Sequence, residues 1–148
     1  MELTYKPAAA EDMEPVFALC KNLIEQYENL EHIDLPKVLR WVRRKIETCI
    51  GEYTVIYAEN QKAGYYHFCK NEDGLYEIDD LYIFPEFQNR GIGTAVIKRC
   101  CASVQVPVVL YVFVRNTGAV ALYERLGFKV VETVHGSRCI MRRENDQK

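Results

Sequence analysis

The sequence predicts a single α/β domain, with a mixed but mostly antiparallel sheet of about six to seven strands flanked by about four helices. Three observations lead there. At 148 residues the chain can bury one core, and no repeat, low-complexity tract or linker divides it. Residues 53–84 hold three runs rich in aromatic and β-branched residues, separated by polar turn clusters, as a meander of neighbouring strands requires. Elsewhere, apolar residues recur at helical spacing and alternate with short β-rich runs.

Leu3–Lys6 alternates and reads as the first strand. Met13, Val16, Phe17, Cys20, Leu23, Ile24 and Tyr27 then repeat at about 3.6 residues, which predicts a helix; Pro15 falls in its first turn, where a missing N–H costs least. A second helix opens at Pro36 and carries Val38, Leu39, Val42 and Ile46 inward. Lys37, Arg40, Arg43, Arg44 and Lys45 make up its other, solvated face. Gly51 ends that pattern. Tyr53–Ala58, Gly64–Cys69 and Leu75–Phe84 form the meander, with turns at Glu59–Lys62 and Asn71–Gly74. A helix to about Ser103, a strand Val108–Val114 and a helix Thr117–Leu126 follow, and Gly127 suits the left-handed position that closes such a helix. Phe128–Thr133 and Arg138–Met141 complete the sheet. Residues 143–148 read as a frayed polar tail.

Bulk properties exclude several classes. The net charge of −2 offers no global basic field for nucleic acid. No apolar run approaches the roughly 20 residues that span a bilayer, so no membrane is expected. Met1-Glu2-Leu3-Thr4 has no basic segment leading into an apolar one, which makes a cytoplasmic protein the expectation. The six cysteines form no C-x-x-C pair and sit inside apolar patterns, as buried free thiols do. His32, His67 and His135 are isolated, so no metal is expected.

The most informative stretch is Gln88-Asn89-Arg90-Gly91-Ile92-Gly93-Thr94. It joins the apolar strand Leu81-Tyr82-Ile83-Phe84, stopped by Pro85, to a helix carrying Ala95, Val96, Ile97 and Cys100. Glycines can adopt backbone angles that a Cβ forbids, so consecutive N–H groups can turn toward one point. That point is the positive end of a helix, where a pyrophosphate is favoured. A P-loop is excluded because no lysine follows Gly93, and a dinucleotide fingerprint is excluded because Val96 stands where a third glycine or alanine belongs.

The remaining pattern, Q-x-x-G-x-G, resembles the cofactor-binding signature of the GNAT superfamily of acyl-CoA-dependent N-acyltransferases. Its companions match too: Glu77 eleven residues before Gln88, Pro85 after the strand, and Asn116 with Tyr123 in N-T-G-A-V-A-L-Y-E-R-L-G-F. The match runs from Glu77 to Phe128. The resemblance implies acetyl-CoA as co-substrate, its pyrophosphate held by the turn from Gln88 through Asn89, Arg90, Gly91, Ile92 and Gly93 to Thr94. It implies that Leu81, Tyr82 and Ile83 pair with pantetheine like a neighbouring strand, and that one of their N–H groups polarises the thioester carbonyl. The strand around Tyr111–Val114 would splay away to open a slot. Arg90 either pairs with phosphate or points to solvent. The reaction implied is direct attack by a primary amine through a tetrahedral intermediate.

Such a transfer needs a base, because an amine with a pKa of about 10.4 is protonated at neutral pH. Glu77 stands where some members carry a general-base glutamate. Asp79 and Asp80 compete for the role: on a regular strand Glu77 and Asp79 share a face, whereas the bulge usual in the family re-aims one of them. The alternative is that these acids are exposed at the sheet end and attract a cation. Asn116 and Tyr123 lie two helical turns apart on one face, together with Ala119 and Val120. By resemblance the tyrosine reaches the thioester sulfur and the asparagine contacts the pantetheine or phosphate region; alternatively, Tyr123 is a core aromatic. A phenol near 10 is a weaker acid than a thiol near 8.5, so complete proton transfer is uphill by roughly 2 kcal/mol, and a hydrogen bond to the departing thiolate is easier.

The expected acceptor is a small-molecule amine, and the acids Glu25, Glu28, Glu31 and Asp34 between the first helices, with those of the strand, suit a cationic one such as a polyamine-like or aminoglycoside-like molecule. Members that acetylate ribosomal-protein N-termini carry a glutamate where Tyr111 stands, which weighs against, without excluding, a peptide acceptor. Trp41, Tyr27 and Tyr82 either wall the acceptor site or pack in the core. A non-catalytic acyl-CoA-binding module is the alternative to an enzyme, and a homodimer stays open.

Overall fold

The computed structural model describes residues 1–145. Its elements are β1 (Leu3–Pro7), α1 (Met13–Tyr27), α2 (Leu35–Cys49), β2 (Tyr53–Ala58), β3 (Gln61–Lys70), β4 (Tyr76–Ile83), α3 (Ile92–Ala102), β5 (Val108–Phe113), α4 (Thr117–Arg125), β6 (Lys129–Val134) and β7 (Arg138–Arg143). One seven-stranded sheet runs in the order β1-β2-β3-β4-β5-β7-β6. All neighbours are antiparallel except β4 and β5.

Each face of the sheet buries its own core. Val16, Ile46, Tyr53, Val55, Tyr65 and Tyr82 pack under α1 and α2. Ile56, Val96, Ile97, Leu110, Phe128 and Met141 pack under α3 and α4. Amphipathic helices on both faces make this inevitable, since each apolar stripe must be covered. Asp12, only 2% exposed, ties the start of α1 to the sheet. It accepts hydrogen bonds from the Ala9 N–H at 2.9 Å, Lys62 at 2.8 Å and the Tyr65 hydroxyl at 2.8 Å.

Three local expectations are corrected. The turn expected at Glu59–Lys62 is shorter: Glu59 and Asn60 take φ of 51° and 68°, and Gln61 and Lys62 already belong to β3. Two consecutive left-handed residues close a hairpin with the twist the strands prefer. Lys45 leaves the solvated face expected for it and turns inward onto β4. The tail expected over residues 143–148 does not begin at 143: Arg143 ends β7, and the Asn145 amide donates to the carbonyls of Cys101, at 3.0 Å, and Val104. Residues 146–148 lie outside the described residues.

Two features of β4 position the site. Its parallel pairing with β5 covers only Tyr76, Ile78 and the residue between them, so the strands diverge beyond Ile78. This is the expected splay. On the other side, His67 pairs with Asp80 and Phe68 with Ile78, leaving Asp79 as an extra, bulged residue. Directly paired residues share a face, so Glu77, opposite Cys69, lies on the same face as Asp80, opposite His67. Ile78 can therefore fill the α3 core while Glu77 faces α2.

Candidate active site

The splay opens a cleft of about 1120 Å³. Glu77, Leu81, Tyr82, Asn116 and Tyr123 all line it, as do Lys45, Asp79, Asp80 and Tyr111. Ala119 shares the wall, whereas Val120, expected beside it, packs into the core. A second cavity of about 780 Å³, at the far ends of α3 and α4, contains none of the predicted site residues.

The glycine turn forms a separate station past the end of β4. Asn89 and Gly91 take φ of 63° and 80°, and Gly91 precedes α3 without any side chain capping its first N–H groups. Those donors stay available to an anion, which fits the turn to a pyrophosphate. Gln88 braces the turn by donating to the Ile83 carbonyl at 3.0 Å. Ile92 is buried, so only its backbone can serve a ligand. Arg90 is exposed and lies over the Phe87 ring, with its guanidinium 5.5 Å from the centroid. Thr94 is half-buried in the first turn of α3. Past Ile78, Leu81, Tyr82 and Ile83 pair only with β3, so their β5-facing backbone groups have no strand partner.

The three acids of β4 are unequal. Lys45 reaches Asp79 at 2.5 Å and Asp80 at 3.8 Å. His67, 3% exposed, meets Asp79 through Nδ1 at 3.0 Å and Glu52 through Nε2 at 3.2 Å, and its ring stacks on Tyr53. Burial works against the Asp79 charge, yet the bonds from His67 and Lys45 hold its carboxyl down at about 2. Asp80 accepts hydrogen bonds from the hydroxyls of Tyr53 and Tyr82, while burial lifts it above the ordinary aspartate value in spite of Lys45. Glu77 has neither commitment. Burial first, and then the neighbouring Asp79, raise its pKa, which moves a carboxylate toward useful basicity at neutral pH.

Tyr123 packs edge-on against Phe128, and burial pushes its phenol up to about 12. Asn116 has a structural duty that the sequence reading missed: its side chain caps α4 by accepting from the Ala119 N–H at 3.3 Å. Cys20 also lines the cleft, but burial pushes it up to about 11, so it is overwhelmingly protonated at neutral pH and a poor nucleophile. The cysteines are free: Cys100, Cys101 and Cys139 are buried and the other three half-buried.

Lys45, His67 and Glu52 were not anticipated. Lys45 lies seven residues after Val38, on the edge of the apolar stripe, which is a readable signal. His67, read as isolated, is paired through space. The predicted turn at Asn71–Gly74 folds it back beside the next strand, and the observed register with its bulge sets it opposite Asp80.

Residues 16–128 match the model of the acetyltransferase (GNAT) family. The chain belongs to this family. Over 64 residues, 40% of the chain, it is 41% identical to an uncharacterized N-acetyltransferase of Methanocaldococcus jannaschii, and the matched stretch spans 28% of that relative's length. A solved acetyltransferase of Thermus thermophilus superimposes with a TM-score of 0.73 at 20% identity, covering 97% of each chain. The PaiA N-acetyltransferase of Thermoplasma acidophilum, solved with coenzyme A, gives 0.72 at 19% identity over 97% of this GNAT chain and 99% of its own. At such identities these likenesses establish the fold. Among the described residues, no helix of the GNAT domain is long and apolar enough to cross a membrane.

Proposed function

We propose that the protein transfers an acetyl group from acetyl-CoA to the nitrogen of a small primary amine. The observation that carries this reading is the cleft between the splayed strands, which has Glu77 and Tyr123 on its walls and the uncapped glycine turn following β4. Acetyl-CoA would supply an activated thioester, with its pyrophosphate at the turn and its pantetheine arm along Leu81–Ile83. Glu77 takes the proton of the acceptor ammonium, being the strand acid held by neither Lys45, His67 nor a tyrosine hydroxyl and having a raised pKa. Tyr123 donates a hydrogen bond toward the leaving sulfur.

The acceptor is a small cationic amine with its charge at the reacting end. Of the acids between α1 and α2, only Glu28 lines the cleft, while Asp34 caps α2 by accepting from the Lys37 N–H at 3.2 Å. Lys45, Arg115 and Arg138 offset much of the remaining negative charge, which disfavours a polycation. The test is thiol release from acetyl-CoA across a panel of monoamines, polyamines, amino acids and N-terminal peptides. Turnover greatest with small monoamines supports the reading. A preference for peptides overturns the acceptor class, and acetyl-CoA binding without turnover of any amine overturns the enzyme.

A further inference from the structure

We propose that His67, braced by Glu52, is a positioning residue for acetyl transfer: its imidazolium and the Lys45 ammonium keep Asp79 ionised beside Glu77, and so set the pH range in which Glu77 takes the acceptor's proton. The inference rests on Glu77 being the base.

The geometry suits a charged ring. Nδ1 lies 3.0 Å from Asp79 Oδ2 and Nε2 lies 3.2 Å from Glu52 Oε1. An ionised carboxylate can only accept, so both contacts are hydrogen bonds when both ring nitrogens donate, and only the imidazolium carries both protons. A neutral ring would press one lone pair against a carboxylate oxygen. Burial opposes the charge, yet the bonds from Asp79 and Glu52 outweigh it and raise the pKa of His67. Tyr53, stacked at 4.7 Å, fixes the ring plane.

The titratable groups facing His67 and its two carboxylate partners are Asp80 and Glu77 from β4, Lys45 and Cys49 from α2, Tyr53 from β2 and Cys69 from β3, with Asp79 and Glu52 themselves the partners. Burial keeps both thiols protonated, raising Cys49 and pushing Cys69 up to about 11. Glu52, with its side chain 63% exposed, is the only member of the group that projects well into solvent. The charges thus form a chain from solvent through Glu52, His67 and Asp79 to Glu77, which hydrogen-bonds Asp79 when it carries a proton. Removing the imidazolium makes Asp79 more basic. The proton shared by Glu77 and Asp79 is then held to higher pH, and the free base is depleted on the acid side.

Two measurements test this. Imidazole nitrogen NMR shifts in the intact protein should keep His67 protonated at neutral pH, above the ordinary histidine value of about 6.5; a neutral ring there overturns the proposal. The second is the pH profile of kcat/KM for thiol release, with an amine that turns over. His67→Gln should lower kcat/KM about tenfold on the acid side and retain the alkaline plateau, and Glu52→Gln should move the same limb by less. Glu52→Gln changes a largely exposed side chain, so it remains informative if the buried variant does not fold. Glu77→Gln should lower the whole profile. If Glu77→Gln is inactive while neither of the other variants moves the acid limb, the positioning role fails and the base survives. If Glu77→Gln retains wild-type rates, the base assignment fails, and this role with it.

Discussion

Replacing Tyr123 with phenylalanine separates two roles a tyrosine can play at a departing thiolate. Burial holds its phenol at about 12. A thiol leaving into the same site is raised by burial too, so full proton transfer stays uphill by at least the roughly 2 kcal/mol that separates a phenol near 10 from a thiol near 8.5. In the proposed role Tyr123 would therefore act by hydrogen bonding, a contribution of about 1.5–3 kcal/mol toward a charged acceptor. Tyr123→Phe should lower kcat by roughly 10- to 150-fold. The Kd for acetyl-CoA should hardly change, because the interaction strengthens only as charge develops on sulfur. The assay is thiol release at saturating acetyl-CoA, with Kd measured by calorimetry. A phenol at about 12 also contributes no alkaline limb below about pH 10. A fall in kcat of less than threefold, or a wild-type alkaline limb near about pH 8.5 that vanishes in the variant, would refute the reasoning.

Further outcomes concern the scaffold. Asp12→Asn should cost roughly 2 kcal/mol in urea denaturation at neutral pH, most of it from Tyr65 and the Ala9 N–H, because Lys62 is 37% exposed and screened. Although burial opposes it, the bonds from Ala9 and Lys62 lower the pKa of Asp12, so its stabilisation is complete above the unfolded value of about 3.9 and is lost as pH falls through the folded one. The gap between wild type and variant should accordingly be flat above about pH 5 and close below it; a gap that widens in acid contradicts the assignment. Gly64→Ala would place a Cβ 2.0 Å from the Tyr82 carbonyl oxygen, a backbone atom that cannot turn away. A loss of about 3 kcal/mol or more, or failure to fold, is expected, and a wild-type Tm would show that β3 and β4 do not approach so closely. Asn116→Ala removes the α4 cap and should cost about 1 kcal/mol, read by thermal melting.

Helices and strands were legible because their signals are local. The apolar period from Met13 to Tyr27 and the aromatic run Tyr53–Ala58 reproduce α1 and β2 to the residue. The candidate site was legible where chemistry depends on backbone shape, as at Gly91 with φ of 80°, whereas the divergence of β4 from β5 beyond Ile78 was expected only from the family resemblance. What escaped was pairing across distance. Lys45 was assigned to solvent because its own helix offers it no partner, and the acids that draw it inward lie on β4, more than thirty residues away. Asn116 was read only for its expected ligand, although an asparagine directly before a helix is also a cap. The Glu59–Lys62 turn was drawn too long because Glu59 does not advertise the left-handed conformation it adopts.

The bulge at Asp79 connects fold to chemistry. In a continuous β4, Glu77 would share a face with Leu81 and Ile83, both of which pack against the core that holds Val96, Ile97 and Leu110. A carboxylate there would be desolvated without a partner, at a cost of several kcal/mol. One extra residue returns Glu77 to the α2 face and gives Ile78 to the core in its place. The same residue supplies the charge that Lys45 and His67 grip. Buried ion pairs seldom repay their desolvation, so stability alone is a weak reason for Lys45, His67 and Asp79 to lie together. On the role proposed for Glu77, the arrangement is accounted for by its electrostatic effect on that acid, which neither Lys45 nor His67 grips.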